Sequence, residues 1–107
     1  MKSVNELNSD ENSALFYNAS STVNHYVLAA GVAENITVPS GARLVSFSPT
    51  VPFYANFNGG TAAVPVADVT DGSGSSYCPQ TRYLNGITTI SVISSQAGVL
   101  TAEFYTL

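Results

Sequence analysis

From Thr22 onward, apolar and polar residues alternate in short runs with a period of two. "TVNHYVL" places Val23, His25 and Val27 on one side of a strand and Asn24, Tyr26 and Leu28 on the other. "NITVP" pairs Ile36 with Val38 before a turn at Pro39-Ser40-Gly41, and "RLVSFS" pairs Val45 with Phe47. "PFYANF" aligns Phe53, Ala55 and Phe57 and stops at Asn58-Gly59-Gly60. "TISVIS" aligns Ile90 with Val92, and "VLTAEFY" aligns Leu100, Ala102 and Phe104 against Thr101, Glu103 and Tyr105. These runs are rich in β-branched and aromatic residues and are bounded by turn formers. Asn85-Gly86, between "TRYL" and "ITTISVI", predicts a hairpin. No window of helical length carries a 3.6-residue repeat. The pattern predicts an all-β, single-domain β-sandwich, jelly-roll-like, of about seven or eight short antiparallel strands. A small barrel is the second architecture it allows.

At 107 residues the chain is long enough for one domain with one modest core. Residues 1–13 are polar and read as an N-terminal arm, leaving residues 14–107 for the sandwich. The opening "MKSVNELNSDENS" lacks the apolar core of a secretory signal, and one cysteine forms no internal disulfide, as expected for synthesis in a reducing cytoplasm.

Composition changes the picture at one point. Hydrophobic residues make up an ordinary 45%, but charged residues only 9%, against about 25% in a typical soluble domain. The exterior is therefore tiled with Ser, Thr, Asn, Gly and some apolar groups, and lacks the charge that keeps monomers apart. Three basic residues against seven acidic ones give a net charge of −4. Lys2, Arg43 and Arg82 make no basic patch, which argues against nucleic acid and against an anionic membrane as partners.

The remaining chemistry gathers in "VPVADVTDGSGSSYCPQTRYL", Val64 to Leu84. Catalysis is not expected there or elsewhere, and neither is a cofactor. His25 lies inside an alternating strand, "GSGSS" lacks the spacing of a nucleophile elbow, and Glu34, Asp68, Asp71 and Glu103 show no spacing that pairs two carboxylates. Asp68 and Asp71, with the Thr70, Ser73 and Ser75 hydroxyls, offer oxygens for calcium, but not in the spacing of an EF-hand. The competing explanation is that Asp71-Gly72 is a turn whose carboxylate caps its own backbone. Cys78 reads as a small buried hydrophobe, and Arg82 as a partner for Asp68 or Asp71 that orders the loop. Six tyrosines supply stacking surfaces for sugars, although tyrosines on half-buried strands also close core rims and interfaces.

Residues 37–105 carry a further pattern: V-P-x-G-A-R at Val38–Arg43, A-A-V-P-x-A-D-V-T-D-G-S at Ala62–Ser73, P-x-x-R-x-L at Pro79–Leu84, and Phe104-Tyr105. In these motifs the chain resembles a group of small virion structural proteins of tailed bacteriophages. Tyr77-Cys78 departs from the apolar residue or Asn expected there. The resemblance implies a component of the virion, synthesised in the bacterial host cytoplasm, that decorates or cements the head. Its partner would be the major capsid protein, and it would self-associate as a dimer or trimer. On this reading the loop contributes Asp68, Asp71, Ser73, Ser75, Tyr77 and Arg82 to partner contacts, and the arm contributes Val4, Leu7 and Asp10. The alternatives are a receptor- or carbohydrate-binding module of a tail or spike, and a head–tail or tail structural component.

Overall fold

The computed structural model describes residues 2–3 and 22–106. The strands are β1 (Lys2–Ser3), β2 (Thr22–Leu28), β3 (Glu34–Thr37), β4 (Leu44–Pro49), β5 (Tyr54–Asn56), β6 (Ser76–Tyr77), β7 (Thr81–Tyr83), β8 (Thr89–Ile93) and β9 (Gly98–Thr106). No helix occurs among the described residues. The first sheet runs β2-β9-β4-β7, and the second runs β3-β8-β5-β6. The pairs β2–β9, β3–β8, β4–β7 and β5–β6 nest one inside the next, all antiparallel. Such nesting is what a long hairpin gives when it is folded over into two sheets, and it is the jelly-roll form of the sandwich. No strand is shared between the sheets, so the sandwich and not the small barrel is the fold.

β1 extends the first sheet. Lys2 and Ser3 pair in parallel with Tyr105 and Thr106, beyond the point where β2 leaves β9. The rest of the polar arm, with Val4, Leu7 and Asp10, lies outside the described residues.

The core fills the space between the sheets. Val45 and Phe47 of β4 and Leu100, Ala102 and Phe104 of β9 face Ile36, Ala55, Ile90 and Val92 across it. Alternation alone predicts these shared faces. Phe47 lies edge-on to Phe53 at 5.5 Å and tilted to Phe57 at 6.3 Å, the separations aromatic pairs prefer. On β2 the inward side is Asn24, Tyr26 and Leu28, opposite Ala102, Leu100 and Gly98. Asn24 is accommodated there because its amide donates to the Tyr26 hydroxyl at 3.4 Å. The other side, Val23, His25 and Val27, faces solvent.

Two strands depart from simple alternation. Leu44 and Tyr105, directly opposite each other, form a second buried cluster on the outer face of the first sheet. On β8, Ser91 and Ile93 are buried as well as Ile90 and Val92, because the outer face of the second sheet is covered.

The turns divide. Pro39-Ser40-Gly41-Ala42 closes with Ala42 N–H donating to the Pro39 carbonyl at 3.1 Å, and Gly41 takes the positive φ of 85° that such a turn needs. Asn85 and Gly86 adopt φ of 46° and 89°, and Ile87 N–H donates to the Leu84 carbonyl at 2.8 Å. That is the geometry expected of Asn-Gly. It does not make a hairpin, however. β7 belongs to the first sheet and β8 to the second, so the turn is a corner carrying the chain from one layer to the other.

Candidate functional site

The stretch Val64–Leu84 is not one loop. Residues 57–75 connect β5 to β6 over the outer face of the second sheet, β6 is that sheet's edge, and β7 is the edge of the first sheet. The connection is anchored where it crosses β8. The backbone N–H of Ala62, itself buried, donates to the Ser91 hydroxyl at 2.8 Å. Before that point two Asn side chains shape the chain: Asn56 Oδ1 accepts from Asn58 N–H at 3.0 Å, and Asn58 Oδ1 accepts from Gly60 N–H at 3.2 Å. Each is an Asx turn, in which the side chain stands in for a backbone carbonyl. Farther on, Ala63 N–H donates to the Ser75 hydroxyl at 3.3 Å, tying the two ends of the exposed segment together.

Within that segment Asp71 behaves as the turn chemistry requires. Its Oδ1 accepts from the Ser73 hydroxyl at 2.6 Å and from the Ser73 N–H at 3.0 Å. These two bonds, the hydroxyl's first, hold its carboxyl below the usual aspartate range. Asp68 is exposed beside it, in a shallow depression shared with Thr70. Among the described residues no three His, Cys, Asp or Glu side chains converge as metal ligands would.

Arg82 does not pair with either aspartate. Its Nη1 donates to the Thr81 carbonyl at 3.0 Å. The reason is topological: Arg82 stands on the edge of the first sheet, whereas Asp68 and Asp71 lie on the loop over the second. The loop is ordered by Ser91, Ser75, the asparagines and the Asp71 turn, and not by an ion pair with Arg82.

Cys78 is half-buried against the core, as a small hydrophobe would be. Its φ of 44° is rare for a side-chain-bearing residue. It marks the point where the chain leaves β6. Its N–H donates to the Phe53 carbonyl at 2.8 Å, while Phe53 N–H donates to its Sγ at 3.4 Å. The adjacent Tyr77 is 62% exposed, and its ring stacks at a tilt on Tyr54 with centroids 5.0 Å apart. The negative charge of a Cys78 thiolate, and a hydrogen bond to it, push the Tyr77 phenol upward.

The structure thus joins Asp71 to Ser73, ties Ser75 to Ala63, places Tyr77 opposite Tyr54 at the edge of the second sheet, and puts Arg82 on the other sheet. Alternation did not mark Asn56, Asn58 and Ser91, which build the loop. The available signal was the turn-forming N-x-N-G-G run at Asn56–Gly60 and a Ser in the middle of an apolar strand. Between loop and sheet lies a cleft of about 580 Å³. Asn56, Asn58, Ser73 and Ser75 line it, together with Pro65 and Val69, and among the described residues no charged side chain does.

The opposite face is built differently. β2 pairs with β9, no other described strand lies along its outer edge, and it has no charged residue along seven positions. Val23 and Val27 stand on its solvent side, Val27 at 78% exposure. His25 between them shares a hydrogen bond of 2.9 Å between its Nδ1 and the Thr101 hydroxyl. Compared with family models, curated proteins and solved structures, the chain matches none.

Proposed function

We propose that this chain is a structural protein of a bacteriophage particle that decorates the assembled head, docking on the major capsid protein through the outer side of β2. The observation that carries the reading is the edge of β2 from Val23 to Val27, which no described strand covers. Sheet edges are ordinarily blunted by Lys, Pro or a bulge, because bare N–H and C=O groups recruit other chains. From Val23 to Val27 this edge has none of those devices, and two valines are exposed beside it. A neighbouring chain that adds a strand or lays an apolar surface there would satisfy both. The scarcity of ions on the whole chain, and the motifs at Val38–Arg43, Ala62–Ser73 and Pro79–Leu84, support the same reading. So does the fold, since jelly rolls recur in capsid proteins. Binding to the assembled shell and not to free subunits would stabilise the shell by mass action.

The test is location and copy number. Quantitative mass spectrometry of purified particles, with labelling by a specific antibody, is expected to find the chain across the head at a number comparable to the major shell subunit. A few copies at the tail would overturn decoration in favour of a tail or connector component. Absence from particles would overturn the reading altogether.

A further inference from the structure

The cleft on the face opposite β2 has chemistry of its own. It is formed where residues 57–75 arch over the second sheet, and its volume of about 580 Å³ is within the range of small-molecule sites. Its polar lining consists of the Asn56 and Asn58 amides and the Thr61, Ser73 and Ser75 hydroxyls. The Asn56 and Asn58 side-chain carbonyls and the Ser75 hydroxyl already accept backbone N–H groups, and the Ser73 hydroxyl donates to Asp71. That leaves the amide N–H groups and the Ser75 hydroxyl proton to donate and second lone pairs to accept. A carbohydrate hydroxyl has the same dual character. Gly60 keeps this lining open: a Cβ there would lie 3.3 Å from the Asn56 amide nitrogen and from Asn58 Oδ1.

Beside the cleft stands an aromatic platform. Tyr54 and Tyr77 are directly opposite on β5 and β6, and residues two apart on a strand share a face. Tyr54 therefore lies on the same face as Asn56, about 6–7 Å along the strand, and Tyr77, opposite Tyr54, stands two residues beyond Ser75. A tyrosine ring offers an apolar face with a polar tip, which suits the C–H face and hydroxyl rim of a pyranose. Pro65 and Val69 supply the remaining apolar wall.

The charge pattern narrows the ligand. Among the described residues no cation lines the cleft to meet a carboxylate or sulfate, and Asp71 on the loop and the chain's net charge of −4 disfavour an anion. We infer that the cleft is a binding site for a neutral saccharide, stacked on Tyr77 and hydrogen-bonded by Asn56, Asn58 and Ser75. The inference does not depend on where the chain resides.

Titration of the ¹⁵N-labelled chain with neutral and sialylated oligosaccharides tests it. Neutral sugars are expected to shift the amide signals of Gly60, Ser73, Gly74 and Ser75, with a Kd of about 1 mM or tighter. Tyr77→Ala should weaken binding roughly 2- to 10-fold, and Tyr77→Phe, which keeps the ring, should not. Val69→Glu, at a half-exposed wall position, should abolish it without unfolding the chain. No shift with any neutral sugar at roughly tenfold that concentration would overturn the inference. So would a preference for the sialylated sugars, or undiminished binding by Val69→Glu.

Discussion

Ser91 and Ala62, 29 positions apart, meet in a single hydrogen bond of 2.8 Å that fastens the residues 57–75 connection to the centre of the second sheet. Both are buried, Ala62 at 2% exposure and Ser91 at 4%, so water does not replace the bond when it is lost. Ser91→Ala is expected to leave a buried N–H without an acceptor and to destabilise the fold by about 1–3 kcal/mol. Urea unfolding should show a lower midpoint at unchanged slope, and hydrogen exchange at the Ala62 amide should accelerate. An unchanged midpoint with an unchanged exchange rate would show that the anchor is dispensable.

Burial separates two other substitutions. Phe53 is 1% exposed and packs edge-on against Phe47, so Phe53→Ala should cost about 3–5 kcal/mol in transfer and cavity terms. Val66 is 99% exposed, and Val66→Ala should stay within about 0.5 kcal/mol. Denaturant midpoints of the two variants measure the contrast directly.

Two glycines are required for different reasons. At Gly86, with φ of 89°, an added Cβ meets nothing within 4 Å, so Gly86→Ala should cost about 1–2 kcal/mol from backbone conformation alone. At Gly98 the added Cβ would lie 2.6 Å from a Val51 methyl and 2.8 Å from the Thr50 hydroxyl. The hydroxyl of Thr50 also accepts from Val99 N–H at 2.9 Å, so Gly98→Ala should disturb the start of β9 as well as crowd it. Thermal unfolding should show both losses, with amide shifts around Thr50 and Val99 only in the second.

Acid should open the Asp71 turn late. The Ser73 hydroxyl and N–H favour the ionised carboxylate, so its folded pKa lies below the unfolded one. For that sign the contribution to stability is complete above the ordinary aspartate range and fades as pH falls through the depressed folded value. Carboxyl ¹³C titration should place Asp71 below a typical aspartate, and Ser73→Ala should move it back up. A wild-type midpoint at or above the ordinary value would contradict the turn.

A charge on the β2 edge should block docking. Val27 is exposed, so Val27→Lys should fold with near-normal stability while supplying the edge protection β2 lacks. On the proposed function, particles mixed with this variant should carry little of it, and attachment of the unaltered chain should persist at high salt, because few ion pairs are available to screen. Equal attachment of variant and wild type would move the contact elsewhere.

Much of the fold is legible in the residues because alternation is a local property of extended backbone. The sets Val45/Phe47, Ile90/Val92 and Leu100/Ala102/Phe104 share faces in the sequence and line one core in the structure. The Pro39–Ala42 turn and the positive φ at Asn85 and Gly86 follow equally from local sterics. The same rules cannot say which strand lies beside which. Only the nested pairing placed Val23 and Val27 outside and made Asn85-Gly86 a corner between layers. It also separated Arg82 from the aspartates expected to hold it. The cleft belongs to this second kind of fact. Its walls come from the end of β5 and a long connection, held over the sheet by bonds such as Ala62 to Ser91 between residues far apart in the chain, and no short-range pattern records them.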